Sequence, residues 1–132
     1  MEDRIGKILS GTKTVAVVGI SDKPDRPSHG VAKYLQDRGY RIIPVNPMIV
    51  EVLGEKAYRS LSEIPEKVDL VDVFRKSEYV PPIAEEAVRI GARFFWMQEG
   101  VVSERAGEIL DAAGLPWVMD RCVKKELAKR GI

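Results

Sequence analysis

At 132 residues the chain suffices for one domain with one core, and 21 Lys and Arg against 20 Asp and Glu leave a net charge of +1, which gives no electrostatic case for a nucleic-acid or membrane partner. One cysteine and one histidine argue against an internal disulfide framework and against a His/Cys metal site, and a lone cysteine fits the reducing cytoplasm. No apolar run approaches the ~20 residues of a membrane helix, and the N-terminal MEDRIGKILSG is charged and lacks the apolar core of a signal peptide.

In chain order, Glu2 to Leu9 carries Ile5, Ile8 and Leu9 at helical spacing before Gly11 and predicts a short leading helix. Thr14 to Ile20 predicts the first strand: Val15-Ala16-Val17-Val18 is a β-branched run suited to burial on both faces, and Gly19 breaks it. A polar loop with two prolines follows. Ser28 then opens a helix as its N-cap, running to about Arg38, with Val31, Tyr34 and Leu35 buried and Gly39 closing it. Arg41 to Asn46 predicts the second strand, where Pro44 requires a strand end or a bulge. Met48 to Glu63 is irregular, with a turn near Gly54 and Lys56 and a short helical turn within Ser60 to Pro65.

Asp69 to Phe74 predicts the third strand, with Asp69 and Asp72 expected at a polar edge or interface. Ser77 is the expected cap of a helix that holds Pro81 and Pro82 in its first turn and ends at Gly91. Arg93 to Met97 predicts the fourth strand. Ser103 caps a helix to about Ala113, Trp117 to Met119 is a short fifth strand, and Cys122 to Arg130 is a last helix with cations near its C-terminal end. The single Asn and two Gln, beside abundant Glu, Lys and Arg, fit a thermophilic source.

Strands alternate with helices, and no linker divides the chain. The pattern predicts one α/β domain over residues 1–132, a doubly wound, mainly parallel five-stranded sheet with helices on both faces. The loops after the strands then share one rim, where such folds bind ligands. The Gly19 to Ser28 loop suggests a phosphate site, since glycine admits close approach and a helix start offers N–H groups; an ordinary strand-to-helix connection is the alternative. Ser21 and Pro24 stand where the dinucleotide fingerprint G-x-G-x-x-G needs glycines, and no acid follows strand two to hold a ribose, which argues against NAD. The rim's equipment is Ser21, Lys23, Arg26, Asn46, Arg75, Lys76, Gln98 and Arg121, suited to an anionic, nucleotide-like molecule. No nucleophile elbow or Ser/His/Asp set is present, so no catalytic residue is expected. His29 is placed either against a phosphate or as a partly exposed first-turn residue.

The order VVGIS, GYRIIPVNP, DLVDVFR, WMQEG and DRC, each at a strand end, resembles the small stand-alone CoA-binding proteins. These are single Rossmann-like domains similar to the N-terminal CoA-binding domain of the succinyl-CoA synthetase α chain. The resemblance runs from about Lys13 to Glu126 and implies coenzyme A on the rim. Gly19, Ser21 and the loop through Lys23 would hold the pyrophosphate, with Ile20, Arg26 and Ser28 in the same site. Val45, Asn46 and Pro47 would sit by the adenosine. Phe74, Arg75 and Pro82 would flank the nucleotide or pantetheine, and Gln98, Glu99 and Gly100 would border the pantetheine arm. Cys122, after Arg121 and at a helix start, is expected to form a mixed disulfide with CoA under oxidising conditions; a small inert core side chain is the alternative. The synthetase's phosphohistidine segment belongs to a further domain that this sequence lacks, so ligase activity is not carried over. The expected function is cytoplasmic binding of CoA or an acyl-CoA, without catalysis by the chain alone. The rival is an NAD(P)-binding oxidoreductase or nucleotide-sensing regulator on the same fold. A second copy or a partner enzyme stays open as a partner.

Overall fold

A computed structural model describes residues 3–131 of the chain. Five strands, β1 (Thr14–Val18), β2 (Arg41–Val45), β5 (Leu70–Val73), β6 (Phe94–Met97) and β7 (Trp117–Val118), form one sheet in the order β2-β1-β5-β6-β7. Every pairing in it is parallel. The short β3 (Glu51–Val52) and β4 (Glu55–Lys56) make a separate antiparallel hairpin. Its two-residue turn, Leu53-Gly54, has positive φ at both positions (56° and 75°), the geometry that hairpin twist favours.

Five helices cover the sheet: α1 (Arg4–Ser10), α2 (Pro27–Asp37), α3 (Val80–Arg89), α4 (Glu104–Ala112) and α5 (Val123–Lys129). Strand alternation divides the core into two layers. Ala16, Val71, Val73, Phe95 and Met97 pack with Ala84 and Ala87 of α3 and Ala106 and Leu110 of α4. Val15, Val17, Leu70 and Trp96 pack on the other face with Ile8 of α1, Leu35 of α2 and Leu127 of α5. The fold is thus the doubly wound, Rossmann-like α/β arrangement that the alternating pattern predicts. The expected start of the first helix at Glu2 lies outside the described residues. No helix among the described residues is long and apolar enough to cross a membrane.

Three local expectations are corrected. Ser28 is not the cap of α2: Pro27 takes the first helical position, Arg26 precedes it, and no side chain caps this end. Ser77 does not cap α3. It begins a 3-10 turn (Ser77–Tyr79) that runs into the helix, and its hydroxyl accepts a hydrogen bond from Val102 N at 2.9 Å. Pro44 stands inside β2 without a bulge, opposite Val17. β2 is an edge strand, and Arg41 N donates to Lys13 O, so alternation turns the Pro44 nitrogen outward, where no ladder bond is lost.

Candidate functional site

The chain leaves β1 toward β2 on one side and returns past it to β5 on the other. The crevice between the carboxyl ends of β1 and β5 is therefore the topological switch point, where open α/β sheets bind ligands. An open cleft of ≈ 560 Å³ lies there. Gly19, Ser21, Lys23, Arg26, Pro27 and Ser28 form one wall; Phe74, Arg75 and Lys76 form a second. Gln98, Glu99, Gly100 and Val101 close the third side.

The first wall is braced from within. Ser28, 6% exposed, accepts from Ser21 N at 2.9 Å, and Ser21 Oγ accepts from Lys23 N at 3.1 Å. Gly19 N donates to Val45 O at 2.9 Å, and Arg26 N to Lys23 O at 3.0 Å. The amides of Gly19, Ser21 and Lys23 are thus already engaged. These bonds fix the loop's shape. Asn46 joins the two neighbouring loops: its Nδ2 donates to Ile20 O at 2.8 Å, and its Oδ1 accepts from Met48 N at 2.8 Å, an Asx turn.

The third side is fastened to α5. Gln98 Oε1 accepts from Val123 N at 3.3 Å, and Gly100 N donates to Asp120 Oδ1 at 2.8 Å. Glu99 pairs with Lys125 at 3.0 Å, and the carboxylate's hydrogen bond raises the lysine's proton affinity above its ordinary value. Four cations, Lys23, Arg26, Arg75 and Lys76, face this single acid around the cleft. Arg75 lies 5.1 Å from the ring centre of Tyr79, which steadies its guanidinium. Asp22 and Asp25 stand exposed in the same loop but line no wall, so the cleft's own lining is mostly cationic, which suits phosphates.

The rim therefore assembles Gly19, Ser21, Lys23, Arg26, Ser28, Phe74, Arg75, Lys76, Gln98, Glu99 and Gly100, eleven of the residues singled out in the sequence, in one cleft. Six others are placed differently. Ile20 and Val45 are buried in opposite core layers at 0% and 3% exposure, which leaves only backbone toward the rim. Asn46 is the tie just described. Pro47 and Pro82 are exposed but outside the cleft walls. Cys122 precedes α5, and its side chain, 9% exposed, packs among Val118, Val123 and Leu127. Arg121 also stands away from the cleft, in a shallow depression beside α1. His29 is buried at 9% exposure and lines no wall.

Sequence reasoning passed over Pro27 and Val101. Each adjoins a residue it did select, and neither carries polar chemistry that would have marked it. Asp69 stands at a polar strand edge, and Asp72 does not. Asp69 Oδ2 accepts from Lys13 N and Thr14 N, at 2.9 and 3.1 Å, while Asp72 is fully buried. A smaller depression of ≈ 270 Å³ beside Arg4, Phe94 and Trp117 opens at the other end of the strands, away from the switch point.

The family model described as CoA binding domain matches residues 13–128. The chain is 52% identical over 120 residues to the uncharacterized protein YneT of Bacillus subtilis, covering 91% of this chain and 89% of that one. It is 35% identical over 91 residues to the alpha subunit of ADP-forming acetate–CoA ligase I of Pyrococcus furiosus, covering 64% of this chain and 20% of the subunit. A hypothetical protein from Pyrococcus horikoshii superposes with a TM-score of 0.94 at 39% identity, over 98% of this chain and 91% of that chain.

Proposed function

Because the chain belongs to the CoA-binding domain family, we propose that it binds coenzyme A or an acyl-CoA across the β1/β5 crevice. Lys23, Arg26, Arg75 and Lys76 take the phosphates, and the pantetheine arm runs past Gln98, Glu99 and Gly100. The observation that carries this reading is the cation cluster at the switch point, whose one acid, Glu99, is already paired with Lys125. After β2 the chain has Asn46 in place of an acid, and its amide is bonded to Ile20 O. That position offers nothing to grip a ribose diol, which favours CoA over NAD.

The ligase chemistry of the acetate–CoA ligases is left with those enzymes, since this chain spans only 20% of the Pyrococcus furiosus subunit. What the chain shares with that subunit is the binding module. Burial of Cys122 among apolar side chains argues against the mixed disulfide suggested by its position in the sequence, because thiol exchange needs an accessible thiolate.

The test is thermal unfolding with CoA, dephospho-CoA or NAD. CoA at ~100 times its dissociation constant adds about 2.7 kcal/mol of stability, a readily measured rise in Tm. NAD is expected to give a much smaller rise. A rise with NAD alone, or equal rises with NAD and CoA, refutes the assignment. In parallel, incubation with CoA disulfide and intact-mass measurement should leave the native chain unmodified.

A further inference from the structure

Asp72 is 0% exposed, and neither carboxyl oxygen has a hydrogen-bond partner. It stands in β5, the middle strand, between Val17 of β1 and Trp96 of β6. Strand alternation puts it on the face of Leu70, the face covered by α1, α2 and α5. Two residues further along the same three strands stand Gly19, Phe74 and Gln98, all walls of the cleft. At ~3.3 Å per residue, Asp72 lies about 7 Å below the cleft floor. A buried acid with no partner gains nothing from its surroundings, and burial pushes this carboxyl well above the usual carboxylate range.

We infer that Asp72 is a positioning residue for the cleft above it: as a neutral acid it permits an anion there, and its ionisation weakens anion binding. This rests on the CoA reading and adds a control to it. Ionisation releases one proton to solvent and leaves a full charge roughly 10 Å below the bound phosphates. At an effective permittivity of ~20 the repulsion corresponds to about tenfold weaker binding.

The neighbouring groups do little to offset that charge. β1 and β6 offer it only Val17 and Trp96 in its own row. On the inner sides of the covering helices the titratable groups are His29 and the partly buried Tyr34 of α2 and Glu126 of α5, with Cys122 at the head of α5, while α1 buries only Ile8 and Leu9. Glu126 is already paired with Lys129 at 3.4 Å. The cleft's four cations attract the phosphates in either state of Asp72.

The experiment compares the wild-type chain with Asp72→Asn and Asp72→Val, the second matching the apolar residues beside it should the amide fit poorly. CoA dissociation constants are measured by calorimetry from about pH 6 up to the highest pH at which the chain stays folded and the infrared spectrum shows Asp72 ionised. Taking ratios to wild type cancels the titration of CoA itself. The three proteins should bind alike at the acid end, with the wild type falling about tenfold behind both variants at the alkaline end. The infrared spectrum of ligand-free wild type at neutral pH should show a protonated carboxylic acid band that both variants lack. Parallel affinity profiles, or the absence of that band, overturn the inference and leave the CoA assignment standing. Failure of CoA to bind any of the three defeats the CoA assignment and the coupling together, while the band still reports whether Asp72 holds a proton.

Discussion

Gly19 lies so close to Phe74 that a Cβ built on it would come within 2.6 Å of the Phe74 carbonyl oxygen, and within 2.8 Å of Arg75 Cδ. Its φ is +87°. The glycine therefore lets two walls of the cleft meet, whatever lies between them. Gly19→Ala should lower folding stability by roughly 2–4 kcal/mol, from left-handed backbone strain and overpacking together. Urea unfolding without ligand measures it. A stable Gly19→Ala chain that loses only CoA binding would instead assign the glycine to ligand contact.

Lys23, Arg26 and Lys76 are exposed, and Arg75 is half-buried. Each is free to meet a phosphate without disturbing the core. Single alanine substitutions at Arg26 and Arg75 should each cost on the order of 1–3 kcal/mol of CoA binding and leave the unfolding midpoint nearly unchanged. Affinity should also fall with added salt, less steeply in the variants than in the wild type. Calorimetry at two ionic strengths decides; salt-independent affinity would remove the cations from the site.

Ser28 is a clamp on the loop between Gly19 and Pro27. Its hydroxyl holds Ser21 N from a position 6% exposed. Ser28→Ala leaves that amide unpaired and frees the loop, at about 1–2 kcal/mol of stability, with a further loss of CoA affinity. Ser28→Cys, a weaker acceptor of similar size, should fall between. Full affinity in Ser28→Ala would show that the loop holds its shape unaided.

At the opposite rim, Arg41 bonds Glu66 at 2.6 Å and Glu55 at 2.7 Å. The hydrogen bond from Arg41 holds the Glu66 carboxyl below its usual 4.5. The folded chain then binds fewer protons here than the unfolded one. The pair's contribution is present in full above about pH 4.5 and is lost as pH falls through the lowered value. Both side chains are more than a third exposed, so it amounts to about 1 kcal/mol at most. Urea midpoints of wild type and Glu66→Gln should differ near neutral pH and converge only once the pH has fallen below the lowered Glu66 value; a constant gap down to the acid limit of the folded chain would exclude this linkage.

The sequence announces the sheet because each apolar run ends at a glycine or a polar loop, and burial on both faces leaves little ambiguity in Val15 to Val18 or Phe95 to Met97. It announces the site less fully. Ile20 and Val45 lie beside the rim in sequence, yet alternation sends their side chains inward, into different layers. Ser28 and Ser77 have the chemistry of helix caps, and the same hydroxyl chemistry serves Ser21 N and Val102 N equally well. Which amide wins depends on loops brought near by the fold, beyond the reach of a local pattern. Asp72 is hidden for the same reason, since only the strand order shows it in the middle of the sheet.

The borders of the sheet are poorly suited to recruiting another strand. Along β2, Pro44 offers no outward N–H. Tyr58 N donates to Pro44 O at 3.0 Å, and Asn46 N donates to Tyr58 O at 2.8 Å, which occupies the end of that border. Across the molecule β7 has only two residues, and Arg4 donates to Trp117 O at 3.2 Å. Amyloid-like stacking and strand exchange both start from a long open border. Self-association of this chain, where it occurs, is therefore expected through side chains on its faces or rim, and concentrated solutions should stay free of fibres as long as the fold persists.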